Sequence, residues 1–137
     1  MLEIIQVDTG VFSMTDQRLK VLVVDDDERS RELFCEILTS AGYVVRAASD
    51  GLNAISHMEA SRFDVVLTDF SMPRMDGLDL LVEIGNRWPE SRVVVHSNMF
   101  SRRVSRLARL EGAYASLSKP RKAAQLLKTI AAASSAA

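Results

Sequence analysis

Five times between residues 19 and 132, a short apolar run gives way to a longer stretch whose apolar residues recur every three or four positions. The first four runs are rich in valine, as buried strands are, and the longer stretches have helical spacing. Strands are read over residues 19–24 and 43–48, around Val65, Val66 and Leu67, and over residues 92–96 and 113–118. Helices are read over residues 28–40, onward from a cap at Asp50, and over residues 78–88, 101–111 and 122–132. Gly42 and Gly112 stop the first and fourth helices, and Pro89 the third. The inward faces are Leu33, Phe34, Ile37 and Leu38 on the first helix, and Leu52, Ile55 and Met58 on the second. Leu78, Leu81, Val82 and Ile84 line the third, and Leu126, Leu127 and Ile130 the last.

A parallel strand pair needs a crossover about the length of a helix, so this alternation implies a parallel sheet covered by helices on both faces. The expected architecture is an open, doubly wound α/β sheet of five strands in the flavodoxin-like order 2-1-3-4-5. At 137 residues the chain can bury one core without disulfides, and its single Cys35 falls within a helical apolar pattern. A formal net charge of −1 exerts no global pull toward nucleic acid or membrane, and no apolar run reaches the length of a membrane span. The chain reads as a cytoplasmic protein. Residues 1–18 mix apolar positions with Asp8, Thr9 and Gly10, and fit a short added strand or helix or a loose arm. Residues 19–132 form the domain. Residues 133–137 are an Ala/Ser tail with nothing to bury.

In open parallel sheets, chemistry collects where the strands end, because the loops diverge there. The third run ends in Asp69, the first in Asp25 and Asp26, the fourth at Ser97 and the fifth at Lys119. A lone strand-end Asp is most simply a turn opener that bonds its own backbone. Three carboxylates brought together raise one another's pKa and require a positive partner. Oxygen ligands with room for water suit Mg²⁺. Lys119 adds a second positive charge and Ser97 a hydroxyl, making a cage for a tetrahedral dianion on a carboxylate.

These residues resemble the receiver domain of two-component response regulators. The similarity rests on Val-Val-Asp-Asp-Asp after the first strand, Leu-Thr-Asp-Phe-Ser-Met-Pro-Arg-Met-Asp-Gly around Asp69, Ser97 after the fourth strand and Ser-Lys-Pro at residues 118–120. The resemblance implies that Asp69 is the phosphoacceptor. It implies that Asp25, Asp26, Asp69 and the Ser71 backbone carbonyl hold Mg²⁺, that Ser97 is the switch hydroxyl, and that Lys119 pairs with phosphate before a cis bond to Pro120. The implied partners are a sensor histidine kinase or histidine phosphotransfer domain and a downstream protein, with a homodimer as one possible output. Nothing after the last helix could serve as an output domain, so the expectation is a stand-alone receiver or an excised one. It is not expected to be an enzyme with a separate substrate.

Several positions depart from the common receiver pattern. Ser116 stands where many receivers carry an aromatic ring, and Tyr114, two residues earlier, shares its strand facing. Asn98 is larger than the alanine or glycine common beside the switch hydroxyl. Ser71 and Met99 occupy positions that tune water access to the acyl phosphate. Met99 offers no group to orient that water, so slow autodephosphorylation is expected; a half-life of seconds would contradict it. His96 reads as a packed or hydrogen-bonded histidine. Arg102, Arg103, Arg106 and Arg109 make a basic band that is either a solvated face or a docking face for an acidic partner. A nucleic-acid surface is poorly supported, because no aromatic residues interleave with these arginines. Two other readings are a degenerate receiver that only binds and, from Asp25-x-Asp27 with Ser97-Asn98, a haloacid dehalogenase-like phosphatase using Asp25 as nucleophile and Asp27 as acid/base.

Overall fold

Lys20–Val24 (β3) is apolar on both sides of its pleat, and a strand of that kind is stable only inside a sheet covered on both faces. The computed structural model describes residues 2–7, 10–16, 18–72, 75–98, 102–119 and 122–135. In it, β3 lies between Val44–Ala48 (β4) and Val65–Asp69 (β5), all parallel. Arg92–Ser97 (β6) and Ala115–Ser118 (β7) extend the sheet to the order β4-β3-β5-β6-β7. This is the expected 2-1-3-4-5 order, and the chain reverses direction of winding between β3 and β5, the strands that deliver the acids.

The two pleat faces build two cores. Val21, Val23, Val65, Leu67 and Val94 pack against Phe34 and Leu38 of Glu28–Ser40 (α1) and Leu126 and Ile130 of Ala123–Ser135 (α5). Leu22, Val24, Val66, Val93 and Val95 face Gly51–Ala60 (α2), Gly77–Arg87 (α3) and Arg102–Leu110 (α4). Each of the first three helices starts on an aspartate. Asp27, Asp50 and Asp76 accept hydrogen bonds from the backbone N–H of Ser30, Asn53 and Asp79 at 3.1, 2.8 and 2.9 Å. Gly42 and Gly112, at φ 100° and 98°, close α1 and α4 in the left-handed region.

The helix faces correct the sequence reading in three places. In α2 the buried residues are Gly51, Ala54 and Met58, and Leu52 is 50% exposed. In α3 they are Gly77, Leu80, Leu81 and Ile84, and Val82 faces solvent. Ile55, Met58, Leu81 and Ile84 do face the core, and a glycine is packed close at each N-terminus: a Cβ on Gly51 would stand 2.7 Å from Met75 Cβ. In α1, Leu33 is exposed, since Phe34 and Leu38 already span the sheet. The Ala/Ser tail is also corrected. α5 continues through Ser135 and buries Ala133, because alanine is a strong helix former and small enough to pack close. Residues 136–137 lie outside the described residues. The N-terminal segment is neither a helix nor a loose arm over its described residues: Leu2–Val7 (β1) and Gly10–Asp16 (β2) pair as an antiparallel hairpin separate from the main sheet, with a register shift between Glu3 and Ile4.

Gly77 is where the fold is least tolerant. Its N–H donates to the Phe70 carbonyl at 2.8 Å, and a Cβ there would overlap the Asp69 carbonyl oxygen and stand 2.6 Å from Phe70 Cα. Those obstacles are backbone and cannot rotate away. Gly77→Val is expected to lower unfolding free energy by about 3 kcal/mol. Urea unfolding followed by circular dichroism checks this, and an unchanged midpoint would contradict the close approach.

Candidate functional site

The four strand ends meet above the centre of the sheet. Asp25 follows β3, Asp69 ends β5, Ser97 ends β6 and Lys119 follows β7. Backbone hydrogen bonds tie these ends together. Asp25 N–H donates to the Ala48 carbonyl at 3.1 Å, Phe70 N–H to His96 at 2.8 Å and Lys119 N–H to Ser97 at 2.9 Å. The Arg31 guanidinium of α1 donates to the Asp25 carbonyl at 2.8 Å and holds the loop after β3.

The three acids of the first strand end have separate fates. Asp25 is 0% exposed; its Oδ1 accepts the Asp27 N–H at 2.9 Å, and its Oδ2 lies 3.1 Å from Lys119 Nζ. That approach is a close ion pair with poor hydrogen-bond alignment, and Lys119 is the one partner of Oδ2 among the described residues. Asp26 is exposed and lines a cleft of about 350 Å³ together with Asp69, Ser71, Ser97, Asn98 and Lys119. Asp27 stands at the rim of the same cleft as the cap of α1, where bonds from the Ser30 side chain and N–H hold its carboxyl below the ordinary range. A carboxylate held ionised at a helix cap is poorly suited to donate the proton that the dehalogenase-like reading requires of it.

Asp69 is 7% exposed, and Ser71 N–H donates to its Oδ1 at 3.2 Å. Burial, reinforced by the Asp25 carboxylate, pushes its carboxyl up to about 6, against the opposing pull of the Ser71 N–H and Lys119. Burial likewise raises Asp25 above the ordinary carboxylate range, with the Asp27 N–H and Lys119 opposing it. Lys119 Nζ sits between the two, 3.8 Å from Asp69 Oδ2. Two buried acids thus share one ammonium, and neither is fully compensated. The geometry can accept a further cation at the acids and an anion beside Lys119.

A model of the response regulator receiver domain family matches residues 21–131. The chain belongs to that family. The receiver fold is shared with solved structures, among them the receiver domain of NtrX from Brucella abortus, at 33% identity, TM-score 0.81 and coverage of 85% of this chain and 99% of that one. The chemotaxis protein CheY4 of Vibrio cholerae matches at 30% identity and TM-score 0.80, over 85% of this chain and 98% of that one. The sensor histidine kinase RcsC of Escherichia coli is 39% identical over 66 residues, 48% of this chain and 7% of the kinase. The chain spans only 7% to 11% of the length of the curated relatives it matches first. It is a receiver of the kind used in two-component signalling.

The cleft gathers Asp26, Asp69, Ser71, Ser97, Asn98 and Lys119, with Asp25 buried against Lys119. Met99, Ser101 and the Lys119–Pro120 bond lie outside the described residues. Ser116 Oγ donates to Ser105 Oγ of α4 at 2.8 Å, so a hydroxyl pair joins β7 to α4 where many receivers carry a ring. Tyr114 is half-exposed just ahead of β7. The four arginines of α4 are exposed, and Arg102, Arg106 and Arg109 border a hollow of about 460 Å³ with Ser105 and Leu110, the latter 74% exposed. Sequence reasoning missed one neighbour of the site. The His96 ring is packed and has no hydrogen-bond partner among the described residues, and its Nε2 lies 3.8 Å from Asp25 Oδ2. Its register partner on β5 is Asp69, and parallel partners share a pleat face, which is the signal that could have found it.

Proposed function

We propose that Asp69 accepts a phosphoryl group from the phosphohistidine of a sensor histidine kinase or a histidine phosphotransfer domain. The observation that carries this reading is the contrast between the acids. Asp69 lines the cleft beside Lys119, whereas Asp25 is sealed from solvent and cannot meet a donor. The same contrast argues against a phosphatase with Asp25 as nucleophile. The carboxyl of Asp69, raised to about 6, is still mostly ionised at pH 7 and available to attack.

An Asp69 oxygen forms the new bond to phosphorus as the P–N bond breaks, and the departing imidazole takes up a proton. Lys119, already 3.8 Å from Asp69 Oδ2, neutralises charge on the phosphoryl oxygens. The crowded carboxylates, with Asp69 held above the ordinary range, fit a divalent cation, and oxygen ligands favour Mg²⁺ held by Asp26, Asp69 and the Ser71 carbonyl with Asp25 behind them. When bound, Mg²⁺ supplies charge neutralisation for the phosphoryl oxygens. Ser97 is the hydroxyl drawn to the phosphoryl group, and the Ser105–Ser116 pair couples that movement to α4.

The output is a change of surface. Residues 19–132 act as the receiver unit, and Arg102, Arg103, Arg106 and Arg109 are its docking face for an acidic downstream partner. The acyl phosphate is released slowly by water, without a separate substrate. Among the described residues no helix is long and apolar enough to cross a membrane; the reading puts the protein in the cytoplasm with its phosphodonor. Incubation with Mg²⁺ and phosphoramidate, followed by intact mass, is expected to show one added phosphoryl group that is absent without Mg²⁺. Continuous release of phosphate that survives Asp69→Asn would overturn the reading in favour of an enzyme, and no uptake by folded protein would favour a receiver that only binds.

A further inference from the structure

Asp25, Asp69 and His96 place one ligand-capable atom each within 4.8 Å of one another. His96 is 0% exposed, neither ring nitrogen has a hydrogen-bond partner among the described residues, and the ring meets Phe34 of α1 edge-on at 5.2 Å between centroids. A buried imidazole nitrogen without a partner is costly, so its position calls for an explanation. The nearest acceptor in the same condition is Asp25 Oδ2, 3.8 Å from His96 Nε2 and held only by the Lys119 ion pair.

We propose that His96 is a positioning residue for the phosphorylated state: as Lys119 turns from Asp25 to the phosphoryl group on Asp69, His96 Nε2–H becomes the hydrogen-bond donor to Asp25 Oδ2. The inference rests on the phosphoacceptor reading of Asp69. Lys119 is already shared between the two carboxylates, at 3.1 and 3.8 Å. A dianion on Asp69 attracts the ammonium more strongly than the single charge of Asp25 does. Asp25 Oδ1 keeps the Asp27 N–H, so Oδ2 is the atom left exposed to the loss.

His96 can fill that vacancy with a small movement. Closing 3.8 Å to a hydrogen bond of about 2.9 Å requires roughly 0.9 Å of approach. Burial and the nearby Lys119 charge push the imidazole down to about 3, so it is neutral and carries one N–H to donate and no charge to compete with Lys119. The groups around the ring are Phe34 from α1, Asp25 from the end of β3, Asp69 and Leu117 as register partners on β5 and β7, and the nearby charge of Lys119. Of these, Asp25 offers the unbonded acceptor.

The test uses the whole chain with Mg²⁺ and beryllofluoride as the phosphoryl mimic. In ¹⁵N-labelled wild type, addition of Mg²⁺ and beryllofluoride is expected to bring up a slowly exchanging His96 Nε2–H resonance. His96→Leu is expected to weaken beryllofluoride binding about tenfold, the size of one hydrogen bond to a charged group, with Mg²⁺ binding alone changed less than about twofold. His96→Gln, which keeps a donor, is expected to recover most of that loss. Wild-type binding with an unmoved imidazole spectrum, or equal binding by the Leu and Gln variants and wild type, would overturn the inference alone. Failure of the wild type to bind beryllofluoride at Asp69 would overturn the phosphoacceptor reading and the inference with it.

Discussion

Asp69→Asn is expected to accept no phosphoryl group and yet to be more stable than the wild type at pH 7. The loss of uptake follows from removing the nucleophilic oxygen. The gain in stability follows from the charge the site must bury. Asp69 titrates near 3.8 in the unfolded chain and near 6 when folded, because burial and the Asp25 carboxylate both oppose its ionisation. Between those values the folded protein holds a proton that the unfolded chain has lost, so the contribution of Asp69 to stability is greatest below about pH 4 and falls as pH rises through 6. At pH 7 the ionised carboxylate costs about 2–3 kcal/mol relative to its neutral form. The amide avoids that cost. Thermal melts of both proteins from pH 4 to 7.5 should therefore diverge as pH rises, with the variant melting higher at neutral pH and the two converging near pH 4. Millimolar Mg²⁺ should raise the wild-type melt more than the variant's, since it compensates a charge that the variant lacks. A wild type that gains stability from pH 4 to 7 relative to Asp69→Asn would show that the site already compensates its acids.

Lys119→Met should separate the electrostatics of the site from its shape. Methionine replaces the aliphatic stem but removes the only cation found within 4 Å of both Asp25 and Asp69 among the described residues. Phosphoryl transfer loses a donor aimed at the charge that develops on the transferring group, which is worth on the order of a hundredfold in rate. Uptake from phosphoramidate, timed by intact mass, reads that loss. The folded state loses too, because Asp25 is fully buried and Lys119 is the ammonium paired with its Oδ2. Asp25→Asn added to Lys119→Met is expected to restore the melting temperature but not the transfer rate. An unchanged transfer rate in Lys119→Met would remove the lysine from the mechanism.

The sheet order was legible because four of the five strands carry valine runs and each gives way to a polar residue near its end. Asp25, Asp69, Ser97 and Lys119 could be placed at one edge without coordinates, since parallel strands present their C-terminal ends together. Helix facing was less legible. Val82 and Leu52 carry apolar side chains at helical spacing, but Gly51 and Gly77 are pressed against Met75 and the Asp69–Phe70 backbone, and Leu80 and Ala54 take the buried places. Periodicity cannot report a backbone contact of that kind. The tail misled for a related reason: Ala133 has little apolar area to advertise, and its burial depends on how close α5 lies to the sheet. Within the site, the sharing of Lys119 and the isolation of Asp25 Oδ2 are matters of tenths of an ångström that residue types do not encode. His96 lay between these extremes, since its register with Asp69 follows from the sheet while its missing hydrogen bonds do not.

The central claim, that Asp69 is the residue that takes the phosphoryl group, is tested most directly by locating the modification. Protein treated with Mg²⁺ and phosphoramidate would be reduced with borohydride, which converts an aspartyl phosphate to homoserine, then digested and sequenced by mass spectrometry. The account predicts homoserine at position 69 and nowhere else, with aspartate retained at 25 and 26. Homoserine at position 25, or phosphate recovered intact on a serine or histidine, would contradict it.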